Sequence, residues 1–302
     1  MNSQTRATLA GAVAVLLWSS LAPLTVLAQG IPPLQLLAMT FGIAFLCGLS
    51  WVALVGGAPA LQRLWQPFGY FAFTVAALFG YHALYFTALT LAPAPQASLV
   101  AYLWPLLIVL FAALGTGQER TGMAHIAGGV LGLTGTALIL LAHDGHSIPA
   151  PHRTLGLLAA LGCALTWSTY SVANRHFRNV PTEAMVIVCG IVATMGLLAH
   201  RLIGEPTIAP QESQWAATVA LGVGPVGLAF FAWDHGTKQG NVSLLGTLSY
   251  GAPVLSTLLL VTLGRAPASL GLLAACTLVV AGAWVATRGA PTSKFSGYAK
   301  RS

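Results

Sequence analysis

The sequence predicts an all-α integral membrane protein, ten transmembrane helices arranged as two inverted repeats of five. Three observations carry that prediction. Only 6% of the 302 residues are Asp, Glu, Lys or Arg while 56% are hydrophobic, and the mean hydropathy is +0.79. Apolar runs of about twenty residues, the length that crosses a bilayer, recur along the whole chain. Aromatic and hydroxyl motifs of the first half return in the second at a nearly constant offset. Soluble domains carry about a quarter of their residues as charges, so this chain has too few to cover a surface in water. That excludes a soluble enzyme, a nucleic-acid-binding protein and a disordered chain.

The apolar runs fall at 7–28, 33–54, 69–90, 95–115, 122–142, 154–176, 182–203, 213–235, 242–264 and 268–288. None shows the strict alternation of a transmembrane β-strand. In hydrocarbon each run must satisfy its own backbone hydrogen bonds, so each is expected to be a helix. Arg6 ahead of an apolar stretch ending Val26-Leu27-Ala28 resembles a secretory signal. The stretch is long for that role, contains Pro23 and is echoed later in the chain, so it is read as the first span.

The third run carries Phe79, Tyr81, His82, Tyr85 and Phe86, with His82 three residues from Phe79 and Tyr85 and four from Phe86, on one helical face. The fourth contains Tyr102 and Trp104 before Pro105, and the ninth contains Tyr250 before Pro253. A proline frees the carbonyl one turn back and kinks its helix. Gly128, Gly132 and Gly135 give the fifth run a flat face for close packing. In the sixth, Trp167, Tyr170, Ser171 and Asn174 make a polar-aromatic stripe at spacings of three and four. Asp234, His235 and Lys238 stand where the eighth run is expected to leave the membrane, as a solvated loop or as a gate that attracts a zwitterion. Ser243, Ser249, Ser256 and Thr257 supply hydroxyls in the ninth, the usual partner of each being its own helix backbone.

The net charge of +7 suggests membrane orientation rather than nucleic acid. With the N-terminus cytoplasmic, Arg6, Arg63, Arg120, Arg175, Arg178, Lys238, Arg288, Lys294, Lys300 and Arg301 fall inside, and only Arg153, Arg201 and Arg265 fall outside. That bias places both termini in the cytoplasm. Cys47, Cys163, Cys189 and Cys276 all lie within runs and read as small packing residues, neither disulfides nor metal ligands. His143, His146 and His152 beside Asp144 lack metal-site spacing, so no metal is expected.

Trp18-Ser19-Ser20 is echoed by Trp167-Ser168-Thr169, and Ala101-Tyr102-Leu103-Trp104-Pro105-Leu106 by Ser249-Tyr250-Gly251-Ala252-Pro253-Val254, at offsets of 149 and 148. Gly132 and Gly135 have their echo near Gly282. The expected organisation is therefore a first five-helix repeat at 7–142, a second at 154–288, and a flexible polar cytoplasmic tail at 291–302. Five is odd, so the second copy enters the bilayer from the opposite side. Inverted repeats are the plan of secondary transporters, which carry substrate near the midplane between the two bundles.

The five-plus-five plan, the tyrosine three residues before a proline in runs four and nine, and the segment Leu114-Gly115-Thr116-Gly117-Gln118-Glu119-Arg120 resemble the drug/metabolite transporter superfamily, in its EamA-type branch. Within that branch the chain is similar to YddG-type aromatic amino-acid exporters of bacterial inner membranes. One departure is that Gly264-Arg265-Ala266-Pro267 stands where Glu119 would have an acidic counterpart. The resemblance implies export of aromatic and other apolar amino acids, with a multidrug or other metabolite exporter as the alternative and a non-transporting sensor or enzyme as the remote one.

The residues expected to bind substrate are Trp18, His82, Tyr85, Tyr102, Trp104, Trp167, Tyr170 and Tyr250, with Asp234, His235 and Lys238 as a candidate gate. Trp18 and Trp167 would either pack in the core or line a central cavity; the hydroxyls of Ser19, Ser20, Ser168 and Thr169, poorly placed in lipid, favour the cavity. No GxxxxGK[ST] is present, so ATP is not expected as a driver, and no cofactor is implied. Glu119, Asp144, Glu183, Glu205, Glu212 and Asp234 all read as lying at or beyond run ends, which leaves His82 as the clearest buried ionisable group and favours uncoupled facilitated export.

Overall fold

A computed structural model describes residues 1–114, 122–141, 152–264 and 269–288. Among these residues the chain is helical throughout its regular structure. Eight helices are long and apolar enough to cross a membrane: helix 1 (Ser3–Leu27), helix 2 (Pro33–Gln62), helix 3 (Phe68–Leu91), helix 4 (Gln96–Leu114), helix 6 (Arg153–Phe177), helix 7 (Thr182–Ile203), helix 8 (Glu212–Gln239) and helix 9 (Val242–Leu259). Two shorter apolar helices complete the set, helix 5 (Met123–Leu141) and helix 10 (Leu270–Arg288). The protein is a multi-pass membrane protein. Leu54, Leu202 and Leu270 are each 86% exposed, which water would penalise and hydrocarbon does not. Trp51, Trp65, Trp215 and Trp284 are also exposed, and indoles are at home in the headgroup region.

Several of these helices are interrupted close to a proline. Helix 1 opens at Ser19–Ser20, ahead of Pro23. Helix 4 divides into Ala94–Ala101 and Trp104–Leu114, ahead of Pro105 at its new second residue. Helix 9 divides into Val242–Leu248 and Gly251–Thr262, ahead of Pro253. Helix 8 widens into a π-helical turn over Gly222–Leu228 around Pro225. The common cause is the missing N–H, which leaves the carbonyl four residues back without its helical donor. Side chains assist: Ser19 and Ser20 donate to the carbonyls of Leu16 and Leu17, and Ser249 to that of Leu245. The first run, read as a single span, is interrupted because Pro23 acts as Pro105 and Pro253 do. Helix 2 runs past residue 54 because a second short turn follows Gly57, whose φ of 59° only glycine adopts readily.

The most extensive helix pairings are 5 with 10, 2 with 7, 3 with 6 and 1 with 8. Small residues let backbones meet at two of them. A Cβ on Gly128 would stand 2.5 Å from the carbonyl of Gly282, and one on Gly236 would stand 2.6 Å from Cα of Gly11. Without a hydrophobic effect between helices in lipid, such dispersion contacts hold the bundle together. Of the runs read above, the Leu114–Arg120 motif beyond Leu114, His143, Asp144, His146, Arg265, the tail at 291–302 and the basic residues in it lie outside the described residues.

Gly128→Val is expected to lower stability by about 1–3 kcal/mol through overpacking against helix 10. Thermal unfolding in detergent checks this. An unchanged midpoint would show that helices 5 and 10 do not meet at Gly128.

Candidate functional site

The interior between the two halves is built of rings. Trp18 of helix 1, Trp104 of helix 4, Trp167 of helix 6 and Trp233 of helix 8 touch in all six pairwise combinations, with ring centroids 5.0–6.3 Å apart. Edge-on and tilted geometries dominate, as the aromatic quadrupole prefers. Each buried indole N–H needs an acceptor. Trp18 Nε1 donates to the carbonyl of Pro225 at 3.0 Å, inside the π turn, and Trp233 Nε1 donates to Ser171 Oγ at 3.1 Å. The π turn thus turns a backbone acceptor toward helix 1 that a regular helix would keep for itself.

Phe230 extends the quartet, lying 6.1 Å from Trp18, 5.8 Å from Trp167 and 5.6 Å from Phe41. His82 sits edge-on to Phe41 at 5.4 Å and to Tyr81 at 5.3 Å. Its Nδ1–H donates to the carbonyl of Leu78 at 2.7 Å, a tie to its own helix backbone that places a proton on Nδ1 and fixes the ring's orientation. Tyr81 stacks on Tyr85, whose hydroxyl is 3.4 Å from Ser98 Oγ. From Trp167 a ladder of rings descends toward the N-terminal end of the bundle: Tyr170 at 5.2 Å, Phe73 at 5.8 Å from Tyr170, Phe177 at 5.5 Å from Phe73, and Tyr70 at 5.4 Å from Phe177.

At the foot of that ladder lies a buried ion pair. Lys238 Nζ donates to Asp234 Oδ2 at 2.8 Å, with side chains 2% and 0% exposed. Thr182 Oγ1 also donates to Oδ2 at 2.8 Å, and Asn174 Nδ2 donates to Oδ1 at 3.1 Å and to Thr237 Oγ1 at 2.9 Å. The ammonium also donates to the carbonyl of Val180 at 3.2 Å and stands 4.8 Å from the centre of the Tyr70 ring. The pair sits on helix 8, one turn apart, while its remaining partners come from the end of helix 6 and the start of helix 7. Helix 6 makes this possible by tightening into a 3-10 turn over Asn174–Phe177.

The structure brings together Trp18, Trp104, Trp167 and Tyr170, with His82 and Tyr85 on their flank. The polar-aromatic stripe of helix 6 is also as the spacing implies: Trp167, Tyr170, Ser171 and Asn174 are all buried, and the last two bond to helix 8. Other expectations need correction. Tyr250 is buried against Gly132, with Val254 and Leu272 beside it, away from the quartet. Tyr102 occupies the turn that divides helix 4, close to Tyr81 and Tyr85, without stacking on a ring among the described residues. Thr169 faces outward. Asp234, His235 and Lys238 are not a solvated trio, because helix 8 continues to Gln239 and its turn geometry sends His235 outward while Asp234 and Lys238 point in. Asp234 is therefore a fully buried carboxylate, and among the described residues its pair with Lys238, where the sequence pointed to His82, is the most enclosed ionisable group. Trp233, Phe230 and Pro225 escaped the sequence reading; Gly222-Val223-Gly224-Pro225 inside an apolar run was the signal for the irregular turn.

An all-helical bundle with several membrane-crossing segments, an aromatic centre and the Asp234–Lys238 pair buried beneath it defines a polytopic membrane protein. The EamA-like transporter family matches residues 5–141 and again residues 154–288, and the chain belongs to that family. It is 50% identical to the aromatic amino acid exporter YddG of Ancylobacter novellus, over 94% of this chain and 98% of the relative. It is 31% identical to the aromatic amino acid exporter YddG of Salmonella typhimurium, over 95% and 99%. A solved crystal structure of a protein 50% identical superposes with a TM-score of 0.90, covering 95% of this chain and 98% of the other.

Removing one partner of the Asp234–Lys238 pair leaves the other charge buried and uncompensated. Asp234→Asn or Lys238→Met alone is expected to cost about 3–5 kcal/mol, and the two together less than the sum of the singles. Unfolding in a denaturant series measures the cycle; strict additivity would show that the pair does not interact.

Proposed function

We propose that this chain exports aromatic and other apolar amino acids across a bacterial inner membrane, by alternating access of two inverted five-helix repeats, without coupling to an ion gradient. The observation that carries it is the tryptophan quartet, contributed by helices 1, 4, 6 and 8, two from each repeat. It offers π-faces and few fixed charges. An aromatic side chain can slide between rings, and a cation over a ring gains about 0.5–2 kcal/mol, enough for weak binding and fast release. The names of the YddG relatives point the same way.

The inverted repeat is supported by the helix pairings. Shifting the first half by 148 or 149 residues maps helix 1 onto 6, 3 onto 8 and 4 onto 9. Under that exchange the 1–8 and 3–6 contacts trade places, while 2–7 and 5–10 map onto themselves. The paired breaks in helices 4 and 9 fit the same relation. Two separate matches to the family, at 5–141 and 154–288, support a duplicated plan. The basic-residue bias assigns the end bearing Arg6, Arg63, Arg178 and Lys238 to the cytoplasm.

Trp18, Trp104, Trp167, Tyr170, His82 and Tyr85 are the residues we assign to the substrate path, with Asp234 and Lys238 closing its cytoplasmic end. In this closed arrangement the pair and its partners bind helix 8 to the helix 6–7 turn. Uncoupled movement is favoured because the one buried carboxylate among the described residues is already committed to an ammonium and two further donors.

Proteoliposomes loaded with labelled phenylalanine or tryptophan test the proposal. Efflux should exceed that of protein-free vesicles, and Trp18→Ala or Trp167→Ala should lower it about 5- to 30-fold, the equivalent of about 1–2 kcal/mol of lost ring contact. Stronger competition by cationic dyes than by unlabelled amino acid would favour a multidrug exporter instead. An imposed pH gradient should produce no uphill accumulation; sustained concentrative movement would overturn the uncoupled mechanism.

A further inference from the structure

A cavity of about 470 Å³ opens at the N-terminal end of the bundle, lined by Arg6, Arg178, Thr182, His235 and Lys238 among others. Its size suits a small organic molecule. Its lining is basic, with no acidic side chain among the described residues, so it concentrates carboxylates. Lys238 belongs to the cavity wall and to the buried pair at once. Just behind it, Asn174 Oδ1 is buried without a hydrogen-bond donor, although its amide nitrogen is fully engaged with Asp234 and Thr237. A buried acceptor without a donor is costly, and its position beside Asp234 makes it half of a receptor for a cation.

We propose that this cavity is a cytoplasmic vestibule for a zwitterion, which unlatches helix 8 by exchange of partners: its ammonium, met first by Asn174 Oδ1, takes Asp234, and its carboxylate takes Lys238. The proposal rests on the export reading above and deepens it. Asp234 and Lys238 present an anion and a cation side by side on one helix. In the closed form their remaining hydrogen bonds go to Asn174, Thr182 and the carbonyl of Val180, across to helices 6 and 7. Those cross-helix bonds are the latch. Withdrawing them with nothing in return would strand two charges in a dry interior. A zwitterion replaces both sets at once: a donor for the carboxylate and an acceptor for the ammonium. A molecule with only one charge replaces one set and leaves the other unmatched. The pair therefore reads the amino-acid backbone, and the side chain meets the ladder of Tyr70, Phe177 and Phe73 that climbs to Trp167.

The test uses full-length protein in liposomes and efflux of labelled phenylalanine. The competitors are unlabelled phenylalanine, phenethylamine, which lacks the carboxylate, and 3-phenylpropionate, which lacks the ammonium. Wild type should be inhibited by phenylalanine at least tenfold more effectively than by either analogue. In Lys238→Met that preference should collapse toward phenethylamine, and in Asp234→Asn toward 3-phenylpropionate, whereas Lys238→Arg should keep the wild-type order. Normal wild-type flux inhibited equally by all three compounds overturns this proposal alone, and needs no variant to fold. Unaltered preference in folded Lys238→Met and Asp234→Asn overturns it as well. Phenylalanine flux no faster than from protein-free vesicles overturns the export reading, and the vestibule's role with it.

Discussion

Four indoles in mutual contact set the terms for the rest of this bundle. Trp18, Trp104, Trp167 and Trp233 come from four helices, and each ring can reach the other three only if those helices converge at one depth. The irregularities of the backbone serve that convergence. Helix 1 ends its first segment at Trp18, helix 4 begins its second at Trp104, and helix 8 opens a π turn whose Pro225 carbonyl receives the Trp18 N–H. In water, frayed backbone at such breaks would be hydrated. In a membrane it has to be satisfied by side chains or lie within protein, and here serine hydroxyls and an indole provide partners.

The same scarcity of charge that places the chain in a membrane makes its buried pair consequential. Asp234 and Lys238 sit in an interior with few other charges to share the field, so every hydrogen bond they accept or donate counts in holding helix 8 to helices 6 and 7. The ladder from Tyr70 to Trp167 joins this polar foot to the aromatic centre without a break. A substrate with two opposite charges and a flat apolar side chain matches both parts. The corresponding positions of the first repeat, near Tyr85 and Phe86, carry no ion pair. The two ends of the protein therefore differ in chemistry, although the helix pairings are close to symmetric.

Much of the architecture was legible because hydrocarbon is an exacting solvent. Run length alone located the helices, and the 148–149 offset identified corresponding elements before any contact was known. The stripe Trp167, Tyr170, Ser171, Asn174 was legible for the same kind of reason, since helical periodicity places those side chains on one face whatever they touch. What failed was direction at a helix end. Asp234, His235 and Lys238 were read together as a solvated loop or a gate, yet helix 8 runs to Gln239 and turns Asp234 and Lys238 inward while His235 faces out. Tyr250 misled in another way. Its spacing from Pro253 repeats that of Tyr102 from Pro105, but the turn that frees the backbone directs the side chain to Gly132 instead of the centre.

By itself the sequence determined that the chain is a membrane-embedded, duplicated helical bundle with aromatic residues inside and basic residues biased to one side. Those properties follow from composition, period and offset, which are local or additive along the chain. Only the tertiary structure decided that Trp233 completes a quartet, that the Pro225 carbonyl is turned toward Trp18, and that Asp234 finds Asn174 and Thr182 across two other helices. These are meetings between residues 50 to more than 200 positions apart. They depend on how helices cross, and crossing is set by small-residue contacts such as Gly11 with Gly236 and Gly128 with Gly282, whose partners no periodicity names.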